Sequence, residues 1–169
     1  MPDPLRPLRV NAVELLRQPG TLRDLDLVVE AAPLGVHHER LSGDIDVHLE
    51  LEALTDGIRV TGNVSAPWSS VCRRCLADIS GTAIAEIDEL YQRERLDPEA
   101  FLLEANQLDL APMVREAILL ELDLERVCSD DCAGLCPACG IDRNKAECSC
   151  DTTVTDNRWS ALDDLVLDD

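Results

Sequence analysis

Eight cysteines in four close pairs constrain this 169-residue chain more than any other feature. Six of them fall within residues 128–150, a stretch with almost no periodic apolar face. Hydrophobic burial cannot offset the chain entropy of such a segment, so something else must order it. The pairs are Cys72-x-x-Cys75, Cys128-x-x-x-Cys132, Cys136-x-x-Cys139 and Cys148-x-Cys150. A Cys-x-x-Cys turn sets two sulfurs on one ion while its backbone N–H groups point at sulfur. Cys136-Pro137-Ala138-Cys139-Gly140 has the zinc-knuckle form, in which Pro fixes one backbone angle and Gly permits the tight exit.

Eight thiols divide into two sites of four, and three groupings keep every pair on one ion. The favoured grouping is Cys136, Cys139, Cys148 and Cys150 as a local site, with Cys72, Cys75, Cys128 and Cys132 as a long-range one. The latter ties the Cys-rich segment back to the middle of the chain. Structural zinc supplies about 10–16 kcal/mol of apparent binding energy in finger peptides, more than the whole stability of many domains. The expectation is two structural Zn2+ ions. The alternatives are a single ion with half the thiols free, metal-free or redox thiols, and an iron–sulfur cluster, although no spacing matches the usual ferredoxin runs. All-Cys sites are closed and leave no open position for catalysis. His37, His38 and His48 lie far from the cysteines in sequence and read as surface or loop residues.

Acids outnumber bases 34 to 15, for a formal charge of −19. That balance opposes broad binding to nucleic-acid phosphates and favours a basic partner or plain solubility. Arg73, Arg74, Arg143 and Lys145 are the local basic spots beside the cysteines, where RNA contact would be confined. The favoured reading is that they offset thiolate charge at the metal sites or are simply solvated. No apolar run approaches the roughly 18 residues of a membrane span. The opening MPDPLRPLRV has no apolar core of a secretory signal, so a cytoplasmic protein with no membrane partner is expected. No phosphate-cradling Gly loop, Ser/His/Asp triad or HExxH helix is present in the sequence, and no enzymatic activity is expected.

Only four residues are aromatic, so the core must come from Leu, Val, Ile and Ala. Asn11 to Arg17 reads as a short helix capped by Asn11 with Glu14 three residues on, ended by Pro19-Gly20. Leu25, Leu27 and Val29 suggest a strand within 21–32. Ile45 to Ala53 alternates cleanly between apolar and polar, as a half-buried strand does. Asp56-Gly57 is a turn, and the alternation resumes from Ile58 to Ala66. Pro67 should interrupt or bend that strand. Ile79 to Leu90 reads as the next strand, so Cys72–Cys75 sits at a hairpin end of an antiparallel meander. An acidic connector runs from Tyr91 to Leu108. Asp109 could cap a helix from Leu110 to about Leu122, with Pro112 in its first turn and Val114, Ala117, Ile118 and Leu122 on one face. Trp159, Leu162 and Leu165 suggest a short helix in the acidic tail.

Taken together, the residues describe an α+β chain. An antiparallel sheet able to curl towards a barrel packs on a C-terminal helix, beside a Cys-rich, zinc-ribbon-like module. The expected division is a core over 1–125, the metal module over 126–150 stapled to it, and the tail over 151–169.

The order of these motifs resembles a known family. Cys72-Arg73-Arg74-Cys75-Leu76, an acidic connector and a Leu-rich helix with Arg115-Glu116 are followed by Cys128-Ser-Asp-Asp-Cys132-Ala-Gly-Leu-Cys136-Pro-Ala-Cys139-Gly. Cys148-x-Cys150 and Asn157-Arg158-Trp159-Ser160-Ala161-Leu162 complete the series. This is similar to the bacterial YceD-like family, the large ribosomal RNA subunit accumulation proteins, over about residues 10–167. Asn157 stands where the family usually has Pro, and Ile141-Asp142-Arg143-Asn144 departs from its usual Asn-Leu-Asn. The resemblance implies a non-enzymatic role in making, processing or stabilising large-subunit (23S) ribosomal RNA. With the charge of −19, the expected partner is a basic ribosomal protein or assembly factor, met through the acidic stretch at 86–110 or the tail at 163–169. A zinc-ribbon adaptor in transcription or protein quality control, and a thiol redox sensor, are the rival expectations.

Overall fold

The computed structural model describes residues 3–152 apart from 95 and 105. The chain forms two compact units, residues 1–71 with 78–126, and residues 72–77 with 127 onwards.

The first unit begins with a 3-10 turn at Arg6–Leu8, strand β1 (Arg9–Asn11) and a four-residue helix α1 (Ala12–Leu15). Asn11 does cap α1, accepting from the Val13 N–H, but the helix is shorter than the sequence suggested. The meander follows as β2 (Leu22–Val29), β3 (Ile45–Ala53), β4 (Gly57–Val71) and β5 (Asp78–Gln92), each antiparallel to the next. β6 (Phe101–Leu102) adds a short parallel pairing to the end of β5. The order β2-β3-β4-β5-β6 stays open, with no pairing between β2 and β6 among the described residues, so the sheet does not close into a barrel. β7 (Gln107–Asp109) pairs with β1 in a separate two-stranded sheet.

Pro67 does not interrupt β4, contrary to the sequence reading. β3 pairs with β4 only as far as Ser65, and beyond that point the loop at 40–42 takes over. Ser42 N–H donates to the Pro67 carbonyl, and Ser69 N–H donates to the Arg40 carbonyl. The edge of β4 that lacks a Pro67 N–H is therefore the one where the ladder with β3 has already ended, and pairing with β5 continues through Pro67↔Thr82.

Helix α2 (Ala111–Asp123) lies against β4 and β5. Asp109 accepts from the Ala111 N–H, while Leu110 at the cap position is fully buried. Val114, Ile118 and Leu122 join Ile45, Val47, Leu51, Ile58, Val60 and Val64 in one aliphatic core. No described helix is long and apolar enough to cross a membrane.

The second unit is built from turns. Cys72–Ala77 connects β4 to β5, and the remainder follows α2. The tail helix expected around Trp159, Leu162 and Leu165 lies outside the described residues.

Candidate metal centres

Each Cys-x-x-Cys turn closes the same way. In the first, Leu76 N–H donates to the Cys72 carbonyl at 2.9 Å; in the second, Gly140 N–H donates to the Cys136 carbonyl at 2.8 Å. The donor residue is left-handed in both, with φ of 59° at Leu76 and 73° at Gly140. Glycine takes that conformation freely and leucine does so at a cost. The turns thus share a backbone that only one of them advertises in its sequence.

The eight sulfurs gather into the two quartets that spacing favours. Within each, all four Sγ atoms lie within 4.8 Å of one another. In the first quartet Cys72 and Cys132 are 3.9 Å apart, and Cys75 and Cys128 are 3.7 Å apart. Four sulfurs placed tetrahedrally about 2.3 Å from a zinc ion stand about 3.8 Å apart. Disulfide-bonded sulfurs stand only about 2 Å apart, and all eight cysteines are free thiols. The donor set therefore fits a tetrahedral, thiophilic ion in each quartet.

Neighbouring groups tune the sulfurs. The backbone N–H groups of Arg74 and Cys128 approach the Cys72 sulfur at 3.4 and 3.3 Å. Hydrogen bonding from the Cys75 backbone, chiefly, draws the Cys72 thiol down to about 6. The Cys139 and Ala138 backbones do the same for Cys136, also to about 6. The remaining thiols then face a thiolate. Cys128 is pushed up to about 12 by Cys132 and Cys75, and Cys150 to about 12, chiefly by Cys139. Cys72 and Cys136 ionise most readily, Cys132 is also drawn below its ordinary value despite its burial, and a cation is what allows the others to ionise beside them.

A set of side chains outside the cysteines holds the quartets. The Arg74 guanidinium donates to the carbonyls of Asp130 at 2.8 Å and Cys132 at 3.3 Å. Leu135 N–H donates to the Arg74 carbonyl at 2.9 Å. That approach needs Gly134, whose φ is 70° and where an added Cβ would stand 3.0 Å from the same oxygen. Asn144 lies between the pairs of the second quartet in sequence, yet its amide reaches Cys132 of the first at 3.4 Å. Asp142 fixes Asn144 and pairs with Lys145 at 3.2 Å. Arg74 and Lys145 were singled out in the sequence only as basic spots, and Asn144 only within the stretch that departs from the family pattern. All four basic spots are exposed, and Arg74 and Lys145 are in addition engaged in these contacts.

The quartets differ in access. Cys72, Cys75 and Cys132 are buried and Cys128 is exposed, whereas in the second quartet only Cys136 is buried. No histidine joins either group. His38 meets Asp123 at 3.0 Å and His48 meets Asp26 at 2.8 Å, and His37 is exposed.

Comparison with known proteins places this arrangement in context. The family model described as large ribosomal RNA subunit accumulation protein YceD matches residues 60–166, which take in both quartets. An uncharacterised protein of Mycobacterium tuberculosis is 32% identical over 147 residues, covering 80% of this chain and 70% of its own. An uncharacterised protein of Mycobacterium leprae is 27% identical over 146 residues, covering 80% and 67%. A chloroplastic protein of Arabidopsis thaliana, named as a large ribosomal RNA subunit accumulation protein YCED homolog, is 29% identical over 62 residues, covering 37% of this chain and 19% of its own. No solved structure matches the chain.

Proposed function

The chain belongs to the YceD family of large ribosomal RNA subunit accumulation proteins, and from that premise we propose that it is a non-enzymatic, cytoplasmic factor of ribosome biogenesis. It supports the synthesis, processing or stability of the large-subunit (23S) RNA. The observation that carries this reading is the family match across residues 60–166, which spans both thiol quartets.

Each quartet holds one zinc ion in this reading, Cys72, Cys75, Cys128 and Cys132 binding one and Cys136, Cys139, Cys148 and Cys150 the other. Four thiolates close the coordination sphere, so the ion supplies cross-linking rather than reactivity. The protein's own groups do the rest. Backbone N–H groups stabilise the sulfurs, while Arg74 and Asn144 hold the turns in place.

The −19 charge directs the protein to a basic protein partner, a ribosomal protein or an assembly factor, in preference to bare RNA. RNA contact is local at most, at Arg73, Arg74, Arg143 and Lys145, all of them exposed.

The test is a deletion strain of the source organism, in which large- and small-subunit ribosomal RNA are quantified and ribosomes are sedimented. A fall in the large-subunit share, restored by the full chain, is the expected result. A normal profile overturns the reading and supports the adaptor alternative. The exposed thiols of the second quartet favour a redox sensor as second reading. Thiol reactivity unchanged by chelation would support that reading over the structural one.

A further inference from the structure

β5 is unusual in being long and half-partnered. It runs fifteen residues from Asp78 to Gln92, all of them paired to β4. On its other side β6 reaches only Tyr91 and Gln92. Among the described residues nothing pairs with the outer edge of 78–90. Alternate residues of a strand direct their N–H and C=O to opposite edges, so this edge presents a row of open donors and acceptors.

Beside the edge, β5, β6 and α2 enclose a groove of about 340 Å³. Phe101 and Leu120 line it and are 36% and 64% exposed. Phe101 is held there by stacking on Tyr91, with ring centroids 5.1 Å apart. Glu86, Glu89, Glu116 and Glu121 line the same groove, with no Lys or Arg. Glu121 lies 3.8 Å from Arg126; the other three have no ion pair among the described residues. Burial, then Asp88, Glu116 and Glu99, push the Glu89 carboxyl up, as crowding of like charge requires.

The charge selects the occupant. A second copy of this edge would set Glu86 and Glu89 against the same carboxylates. The chain's own tail, residues 151–169, carries six acids and one base and is repelled in the same way. A strand of opposite sign gains from both the edge and the rim.

We propose that the open edge of β5 and the acidic groove beside it dock an extended basic segment of a partner protein, one in which Arg or Lys alternates with apolar residues. Its backbone extends the sheet along 78–90, its cations meet Glu86, Glu89 and Glu116, and its apolar side chains meet Phe101 and Leu120. The inference rests on the proposed action through a basic protein partner and assigns it a surface.

The test uses the full chain with its metal and a labelled decapeptide of alternating Arg and Val. Binding is read by fluorescence anisotropy, and amide hydrogen exchange locates it. The peptide is expected to bind and to slow exchange within 78–90. The triple variant E86Q/E89Q/E116Q should weaken it by about tenfold, two exposed charge pairs and one half-buried pair of modest worth each. D24N/E30Q/E50Q, which removes the same charge on β2, just after it and on β3, should change affinity less than about twofold. A backbone N-methylated peptide of the same sequence should bind more weakly than its parent. Absence of binding, equal loss in both triple variants, protection elsewhere in the chain, or tighter binding of polyuridylate than of the peptide would each overturn the assignment. A normal ribosome profile in the deletion strain with specific peptide binding intact would instead remove the functional reading and leave the surface standing.

Discussion

Leu76 occupies the left-handed position that Gly140 fills in the other knuckle, and its side chain is exposed. No packing is lost by removing it, and the left-handed penalty for a side-chain-bearing residue is about 1–2 kcal/mol. Set against the greater unfolded-state freedom of glycine, Leu76→Gly should stabilise the protein by up to about 1 kcal/mol, measured as a rise in the urea midpoint at fixed metal content. A fall in the midpoint would mean that the leucine side chain contributes more than its backbone costs. The thiols make a second prediction at this scale. With Cys72 and Cys136 drawn down to about 6, Cys132 drawn down as well, and Cys128 and Cys150 pushed up to about 12, ultraviolet thiolate absorbance of metal-free protein should begin to rise near pH 6, ahead of the remaining thiols. All eight thiols titrating together near 9.0 would contradict it. The sign for stability follows from these two shifts. Between about pH 6 and 9 the folded metal-free chain has released protons at Cys72 and Cys136 that the unfolded chain still binds, so its stability rises with pH. Above 9 the raised thiols reverse the trend, because the folded chain then holds protons that the unfolded chain has lost.

The strands and α2 are where sequence and structure can be compared element by element. β3 was readable because one of its faces is wet and the other buried, which writes a period of two into Ile45–Ala53. α2 was readable because its apolar face repeats at helical spacing. β1, β6 and β7 were not, since two or three residues are too few to carry a period. Pro67 misled because the rule against proline within a sheet depends on which edge is paired, and that is set by where β3 ends rather than by β4 itself. Spacing favoured the observed cysteine quartets among three groupings, but the positioning contacts of Asn144 and Arg74 were not readable, because they reach partners 12 and 56 residues away in the chain. A glycine supplies the test at this scale. Gly62 in β4 has φ of 133°, and a Cβ there would stand 2.2 Å from the His48 carbonyl of β3. Gly62→Ala should therefore lower stability by about 1–3 kcal/mol through backbone strain, read by denaturant unfolding. An unchanged midpoint would show that β3 and β4 separate there at little cost.

At the scale of the molecule, two thiol quartets of unequal access stand on one chain. Elemental analysis of protein purified without chelator should give two zinc ions. A chelator should remove them in two steps, the exposed quartet of Cys136, Cys139, Cys148 and Cys150 emptying first. Cys139→Ser should leave one ion and abolish the faster step. A single step with both ions lost together would mean that the quartets act as one cooperative site, coupled through the segment that carries Asn144 to Cys132. The quartets differ also in how far apart their members lie along the chain. Cys136 to Cys150 can be completed within a short window of translation, whereas Cys72 and Cys132 are separated by 60 residues. At bacterial and eukaryotic elongation rates of about 5–20 residues per second, roughly 3–12 s pass between the synthesis of these two cysteines. During that interval the nascent chain carries two thiols of an incomplete site, with no second pair to share an ion. The long-range quartet is thus the point at which biosynthesis of this protein is most exposed to oxidants and to scarcity of metal.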